Sequence, residues 1–251
     1  MRGCSYNGEL VFLSIVIPAF NEERRLPRSL DQVLAYLNTH KHSTEIVVVD
    51  DGSSDGTARI AAEFTRKFPQ VRLVRNPGNR GKGFSIRHGV RESRGEWVLF
   101  SDADLSAPIE EMEKLFQAVE QEKAQVAIGS RAMDRSLIGV HQSWFRENAG
   151  RLFNLLMRLI VGLPFWDTQC GFKLFRRDAA EQAFGKGLID GFGFDVEVLF
   201  IAQSRGHKIV EVPVRWNHAD GTKLSLFGDS VKMFTDLLRV RWNQLTGKYR
   251  G

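Results

Sequence analysis

Two aspartates one residue apart, Asp102 and Asp104, follow the apolar run Trp97-Val98-Leu99-Phe100 in the segment GEWVLFSDADLSAP. If extended geometry continues through Ala103, side chains two apart lie on one side and the carboxylates converge. Converging carboxylates repel unless a cation lies between them. One or two carboxylates completed by substrate phosphates is a common way to hold Mg2+ or Mn2+. For an isolated D-x-D, the end of a strand and a cap for a helix starting at Ser106 is the better explanation. Two further polar segments at strand ends shift the balance toward a metal.

Those segments are PAFNEE, 18–23, and DDGSSDG, 50–56. Pro18 and Phe20 offer a wall for a planar base and Glu22 an acceptor, while Asn21 is expected to cap a helix. Asp50 or Asp51 is a candidate acceptor for a base or ribose; Ser53, Ser54 and Asp55 are expected to serve the turn and the next helix cap. GNRGKG, 78–83, looks like a phosphate loop carrying Arg80 and Lys82, yet it fits neither the P-loop nor the dinucleotide glycine pattern. The histidines, 40, 42, 88, 141, 207 and 218, show neither metal-ligand spacing nor a nucleophile partner.

The elements that must position these residues alternate. Ser14 to Ile17, EIVVVDD, VRLVR, EWVLFSD and AQVAIGSR are predicted strands, apolar as parallel strands covered on both faces are. Helices are predicted to carry Leu26, Leu30, Val33, Leu34 and Leu37, then Ile60, Ala61, Phe64 and Phe68, then FSIRHGV, then Ile109, Met112, Phe116 and Val119. Strand-helix alternation implies an α/β fold, a Rossmann-like, mostly parallel sheet with helices on both faces, whose ligands sit beyond the carboxyl ends of the strands. After AQVAIGSR the pattern loosens. A helix with Leu152, Leu155, Leu156, Leu159 and Ile160, another near Asp195 to Ser204, the strand KIVEVPVRW and a C-terminal amphipathic helix from about Asp229 to Leu245 are predicted.

The 251 residues, 43% hydrophobic, are expected to form one domain. A net charge of +5 suits an anionic partner: a nucleotide, a phosphorylated substrate or an acidic membrane surface, with no nucleic acid expected. Cys4 and Cys170 match no metal spacing, so a reducing, cytoplasmic compartment is the default, with Cys170 a packed core thiol. The apolar segment from Leu152 to Leu163 is broken by Asn154 and Arg158, and the apolar N-terminal run ends in Pro18. Neither reads as a membrane span, and a soluble or peripheral protein is expected.

SIVIPAFNEE, EIVVVDDGSSDGT, GNRGKGFSIRHGV and GEWVLFSDADLS resemble, in order and spacing, the first half of inverting nucleotide-sugar glycosyltransferases of the GT-A fold, family 2. GSRA, DTQCGFKLF, FGFDVEVLFIAQ, EVPVRWNHADGTKLS and DLLRVR are similar to the dolichyl-phosphate β-glucosyltransferase branch, and more distantly to dolichyl-phosphate mannose synthases. The resemblance covers residues from about 13 to 248. It implies a nucleotide-sugar half over about 13–130 and an acceptor half over about 131–251. It further implies transfer of a hexose, glucose from UDP-glucose, to a polyprenyl (dolichyl) phosphate with inversion. By motif, Pro18, Phe20, Glu22, Val49 and Asp51 would line the nucleoside pocket. Asp102, Ala103 and Asp104 would face diphosphate and metal, and Arg131 and Lys223 would meet donor or acceptor phosphates. Asn217 stands where the mannose synthases carry arginine, and Ser106 where some relatives offer a metal-binding glutamine, which leaves nucleotide choice and metal coordination open.

An acceptor phosphate is already anionic at neutral pH, so the reaction needs cations more than a general base, and Arg131, Lys223 and a metal would supply them. Asp195 can orient sugar or acceptor, or cap the helix that follows it; Asp167 and Gln169 share that ambiguity. Relatives in this branch carry an N-terminal membrane helix, so membrane contact is here expected from the segment 152–163 and the last helix, with Val231, Phe234, Leu238, Trp242 and Leu245 apolar and Arg239, Arg241, Lys248 and Arg250 meeting headgroups. The expected location is the cytoplasmic face of a membrane. Transfer of mannose or N-acetylglucosamine, transfer to a saccharide or protein, and a non-catalytic nucleotide-binding module are the competitors.

Overall fold

In a computed structural model, residues 5–6, 9–40, 42–140, 158, 160–217 and 228–250 are described. Strands β1 (Ser5–Tyr6) and β2 (Glu9–Leu10) form a small antiparallel pair. The main sheet contains β3 (Leu13–Ala19), β4 (Thr44–Asp50), β5 (Val71–Arg75), β6 (Trp97–Ser101), β7 (Val126–Ser130), β9 (Phe172–Arg176) and β10 (Ile209–Pro213) in the order β10-β7-β9-β6-β3-β4-β5. β8 (Ile138–Val140) pairs separately with β11 (Trp216–Asn217).

The strands predicted in the first half are present because they are buried on both faces. Ile15, Ile17, Ile46 and Val48 pack into one layer, and Val16, Val47 and Val49 into the other. Helices α1 (Leu26–Leu37), α2 (Thr57–Lys67) and α4 (Met112–Glu122) cover the first layer; α3 (Lys82–Glu92), α5 (Arg177–Gly185), α6 (Phe194–Ser204) and α7 (Gly228–Leu245) contribute to the second. Removal of these aliphatic side chains from water, worth about 1.5–3 kcal/mol each, is the main force holding the three layers together.

The sheet departs from the sequence pattern at β9. This strand runs antiparallel between β6 and β7, pairing Leu99 with Leu174 and Ala127 with Leu174. Its apolar run is interrupted by Lys173, which is fully buried, and that interruption hides it. The helix α5 that follows opens with Arg177 and Asp178, and the sequence pattern does not mark it either. Asn21 does not cap α1, whose first turn starts at Arg25 without a side-chain cap. The helix expected from Ser106 starts later, with Pro108 leading into a single 3-10 turn, Ile109–Glu111, ahead of α4. The apolar segment 152–157, His141, His218, Lys223 and the side chain of Val231 lie outside the described residues.

Candidate active site at the strand ends

The carboxyl ends of β3, β4 and β6 lie side by side, with Ala19 opposite Asp50 and Val16 opposite Phe100. The loops leaving β3 and β4 are braced to one another. The Asn21 amide donates to Ser53 Oγ at 2.9 Å, and the Ser54 amide to Asn21 Oδ1 at 2.8 Å. The Glu22 amide donates to Thr57 Oγ1 at 2.7 Å, and the Gly56 amide to Glu23 Oε2 at 2.8 Å. Ser53 and Ser54 therefore join two loops, and Asp55 both makes the local turn, accepting from the Thr57 amide at 3.0 Å, and reaches the other loop, accepting from the Glu23 amide at 3.2 Å.

Asp102 and Asp104 both follow the end of β6, but not as alternating positions of a strand. β6 ends at Ser101, and the Leu105 amide donates to the Asp102 carbonyl at 3.1 Å, closing a turn. Leu105 has φ 47°, left-handed for a residue with a branched side chain, and Asn21 has φ 54°. Such backbone costs about 1–3 kcal/mol at each position and persists where surrounding contacts enforce it. Here Ser29 Oγ, from α1, donates to the Ala103 carbonyl at 2.6 Å, and Asp104 Oδ1 accepts from the Ser106 amide at 3.0 Å. Asp102 is held from the other side: its amide donates to the Gly171 carbonyl at 3.2 Å, and a Cβ on Gly171 would lie 2.0 Å from Asp102 Oδ2. Gly171, in DTQCGFKLF, makes room for the carboxylate.

The cation beside Asp102 comes from the glycine-rich loop. Lys82 Nζ lies 2.5 Å from Asp102 Oδ1. Burial opposes its charge, but Asp102, Asp195 and Asp104 together raise the ammonium above its ordinary pKa. Arg80 stacks on Phe84 at 4.4 Å. The loop is anchored by Asp51, which is buried and accepts from Asn76 Nδ2 at 2.7 Å and from the Arg80 and Gly81 amides at 2.9 and 2.8 Å. Gly81 has φ 101° and lies against the Asp190 carbonyl, so its lack of a side chain serves close backbone packing. Asp50 Oδ2 is buried without a hydrogen-bond partner, Arg75 Nε being 3.7 Å away.

Of the other sequence candidates, Pro18 pairs with Val49 across β3 and β4. Val49 has its side chain wholly in the core. Glu22 takes both Arg25 Nε and Nη2, at 2.6 and 2.7 Å, and Arg25 reaches to 4.0 Å from Asp104. Arg131 is fixed by buried Asp167 through three hydrogen bonds: Nε at 2.6 Å, Nη2 at 2.8 Å and the amide at 3.0 Å. Burial would raise the Asp167 pKa, but Arg131 more than offsets it and holds the carboxyl below the ordinary value. The Arg131 guanidinium also lies 4.9 Å above the Trp216 ring. Next to Trp216, the Asn217 amide donates to the Ser106 carbonyl at 2.8 Å, so these two positions touch.

Sequence reasoning missed the buried ion pair below the turn. Lys173 Nζ donates to Asp195 Oδ1 and to the Cys170 carbonyl, the latter at 2.6 Å. Burial raises the Asp195 pKa, although Lys173 and Lys82 pull against it. The one available signal was the lysine that interrupts FKLF. Among the described residues no group of three or more His, Cys, Asp or Glu side chains converges as a metal cage. Two carboxylates are too few for a cage made by the protein alone; a hard cation at Asp102 and Asp104 would need phosphate oxygens to complete its shell.

A family model, Glycosyl transferase family 2, matches residues 14–184. A dolichyl-phosphate beta-glucosyltransferase of Mus musculus is 39% identical over 250 residues, which are 95% of this chain and 77% of the relative. One of Dictyostelium discoideum is 35% identical over 252 residues, 96% of this chain and 77% of the relative. In fold, the chain is similar to glucosyl-3-phosphoglycerate synthase from Mycobacterium tuberculosis solved with Mn2+, UDP-glucose and phosphoglyceric acid, at TM-score 0.66 and 20% identity over 92% of this chain and 80% of that one. With a GT-A architecture and matching motifs running from β3 through α5, this chain belongs to glycosyl transferase family 2.

Proposed function

We propose that the protein transfers glucose from UDP-glucose to the phosphate of a dolichyl or other polyprenyl phosphate, inverting the anomeric centre. Relatives named dolichyl-phosphate beta-glucosyltransferase, at 35% and 39% identity over nearly the whole chain, support the glucosyl group and the lipid phosphate. The observation that carries the reading is the Asp102–Asp104 turn at the end of β6, flanked by Lys82 on one side and the Asp167-fixed Arg131 on the other.

In this mechanism Asp102 and Asp104 would hold a divalent cation, which when bound would neutralise the diphosphate leaving group. The braced loops after β3 and β4 receive the nucleoside, with Asp50 at the end of β4 and with Pro18, Phe20, Glu22 and the main chain around Val49 at its edge. Asp51 acts there by fixing the 78–83 loop. Arg131 and Lys223 gather the acceptor phosphate, whose oxygen bonds to the anomeric carbon while the bond from that carbon to the UDP oxygen breaks. UDP departs with the electron pair, and no side chain needs to remove a proton. The lipid acceptor places the enzyme peripherally on the cytoplasmic face of a membrane, as a single domain whose first part serves the donor and whose second part serves the acceptor.

Incubation with UDP-glucose and polyprenyl phosphate, with and without Mg2+, followed by mass analysis of the organic phase, tests this. A metal-dependent glucosyl lipid phosphate is expected. Glucose found only in water-soluble products, or a lipid product formed only from another nucleotide sugar, would overturn it.

A further inference from the structure

Helix α7 buries one side and leaves the opposite side uncovered. Leu237, Val240 and Asn243 face the body of the protein, each with 1% exposure or less, while Phe234, Leu238, Trp242 and Leu245 are 40%, 50%, 63% and 71% exposed. At 3.6 residues per turn these four side chains fall within an arc of about 80° and extend over roughly 16 Å of the helix. They lie directly away from the core. Arg241 lies at one margin of the stripe; Lys232 and Arg239 lie beyond the other, and all three are exposed. The one acidic side chain described on the helix, Asp236, is turned toward Gly193, whose added Cβ would meet it at 2.4 Å. No helix among the described residues is long and apolar enough to cross a membrane.

We infer that the outer stripe of α7 docks the enzyme on an anionic lipid bilayer, its apolar side chains entering the interface and its arginines meeting headgroup phosphates. An apolar stripe bordered by cations, on a helix with no acid on that side, complements a surface that is apolar within and negatively charged at its rim. A water-soluble acidic protein would match the arginines but not an exposed tryptophan and two leucines in one line. The position of α7 suits the reaction: Gln169, two residues from the Asp167 that fixes Arg131, reaches Met233 at 3.8 Å. Gly193, against Asp236, directly precedes α6, whose second residue is Asp195. Docking through α7 would set the acceptor side of the cleft at headgroup level. This deepens the proposed function and rests on its lipid acceptor.

Co-sedimentation of the full-length protein with vesicles, in the absence of nucleotide and acceptor, tests it. Binding is expected to phosphatidylcholine vesicles containing phosphatidylglycerol and to be weak to phosphatidylcholine alone. Arg239→Gln with Arg241→Gln should weaken binding to the mixed vesicles by about 30-fold, at the usual contribution of a basic residue near a charged surface. Leu238→Glu with Trp242→Glu should weaken it by more than about 10-fold. Both pairs are exposed, so unchanged circular dichroism is expected. Vesicle binding indifferent to either pair, or a concentration-dependent dimer that Leu238→Glu with Trp242→Glu dissolves in place of vesicle binding, would overturn the inference. Transfer to a short-chain polyprenyl phosphate dissolved in detergent separates the two ideas. If that reaction fails while vesicle binding behaves as expected, the proposed function fails alone; if it succeeds while vesicle binding ignores the stripe, the docking inference fails alone.

Discussion

Substitution of Gly171 by alanine displaces Asp102 while leaving every side chain assigned to the reaction chemically intact. The new Cβ would stand 2.0, 2.4 and 2.7 Å from Asp102 Oδ2, Cγ and Oδ1, whereas real Cβ contacts essentially never fall below 3.0 Å. Relief therefore requires a movement of about 1 Å or more, and the backbone cannot supply it freely, because Gly171 leads directly into β9 and its carbonyl accepts the Asp102 amide. The carboxylate must turn away from its place beside Lys82. A misplacement of about 1 Å typically costs about 100-fold in rate, or about 2.7 kcal/mol of transition-state stabilisation. Overpacking should cost a further 1–3 kcal/mol or so of folding stability. Gly185→Ala is the control, since nothing lies within 4 Å of a Cβ there. The assay is kcat/KM for UDP-glucose beside the urea midpoint and the Mn2+ affinity of each variant. Wild-type turnover and Mn2+ affinity in Gly171→Ala would refute the view that Asp102 must occupy that place.

Asp104→Ala should abolish metal-dependent turnover and, because the Ser106 amide loses its acceptor in a strained turn, lower the stability read from urea unfolding by about 1 kcal/mol. Asp167→Asn should reduce stability by roughly 3 kcal/mol, as loss of one partner from a buried ion pair does, and should raise KM for the lipid phosphate because Arg131 loses its anchor. Because Asp167 is depressed below its ordinary value of 3.8, its contribution is present above that pH and disappears as pH falls below it. The acid limb of the wild-type stability profile should therefore flatten in the variant. Tyr249→Phe removes the hydroxyl that donates to Glu197 Oε1 at 2.6 Å; thermal unfolding should show a loss of about 1–3 kcal/mol from the carboxylate oxygen left unpaired. Cys170, fully buried with its thiol pushed up to about 12, should resist iodoacetamide at pH 8 in a Cys4→Ser background and react only on unfolding.

Much of the fold was legible because parallel strands covered on both faces must be apolar throughout, and IVVVD or WVLF admits few other roles. The approximate site followed from where such strands end. What stayed hidden depends on contacts far apart in sequence. Nothing near Asp102 announces that Lys82 is its partner or that Gly171 stands against it, and these relations exist only once β9 is in place. Lys173 hid that strand by supplying a charge where the pattern required a hydrophobe, and its bonds to Asp195 and the Cys170 carbonyl make the burial tolerable. The turn at 102–105 was misjudged for a local reason: a leucine at positive φ is disfavoured, so nothing in its type predicts it. The stripe on α7 was legible because a helix repeats often enough to display both of its sides.

The antiparallel strand β9 also dictates an order of events during synthesis. β6 and β7 do not pair with one another; each pairs with β9, whose residues leave the ribosome more than forty positions after β7 is complete. Until then the nascent chain carries the unpaired β9-facing edge of β6 and both edges of β7, since β10, the other neighbour of β7, comes later still; such edges of largely apolar strand recruit neighbouring chains. A fragment ending at residue 130 should accordingly aggregate, and chaperone capture during translation should peak between the emergence of Ser130 and that of Arg176.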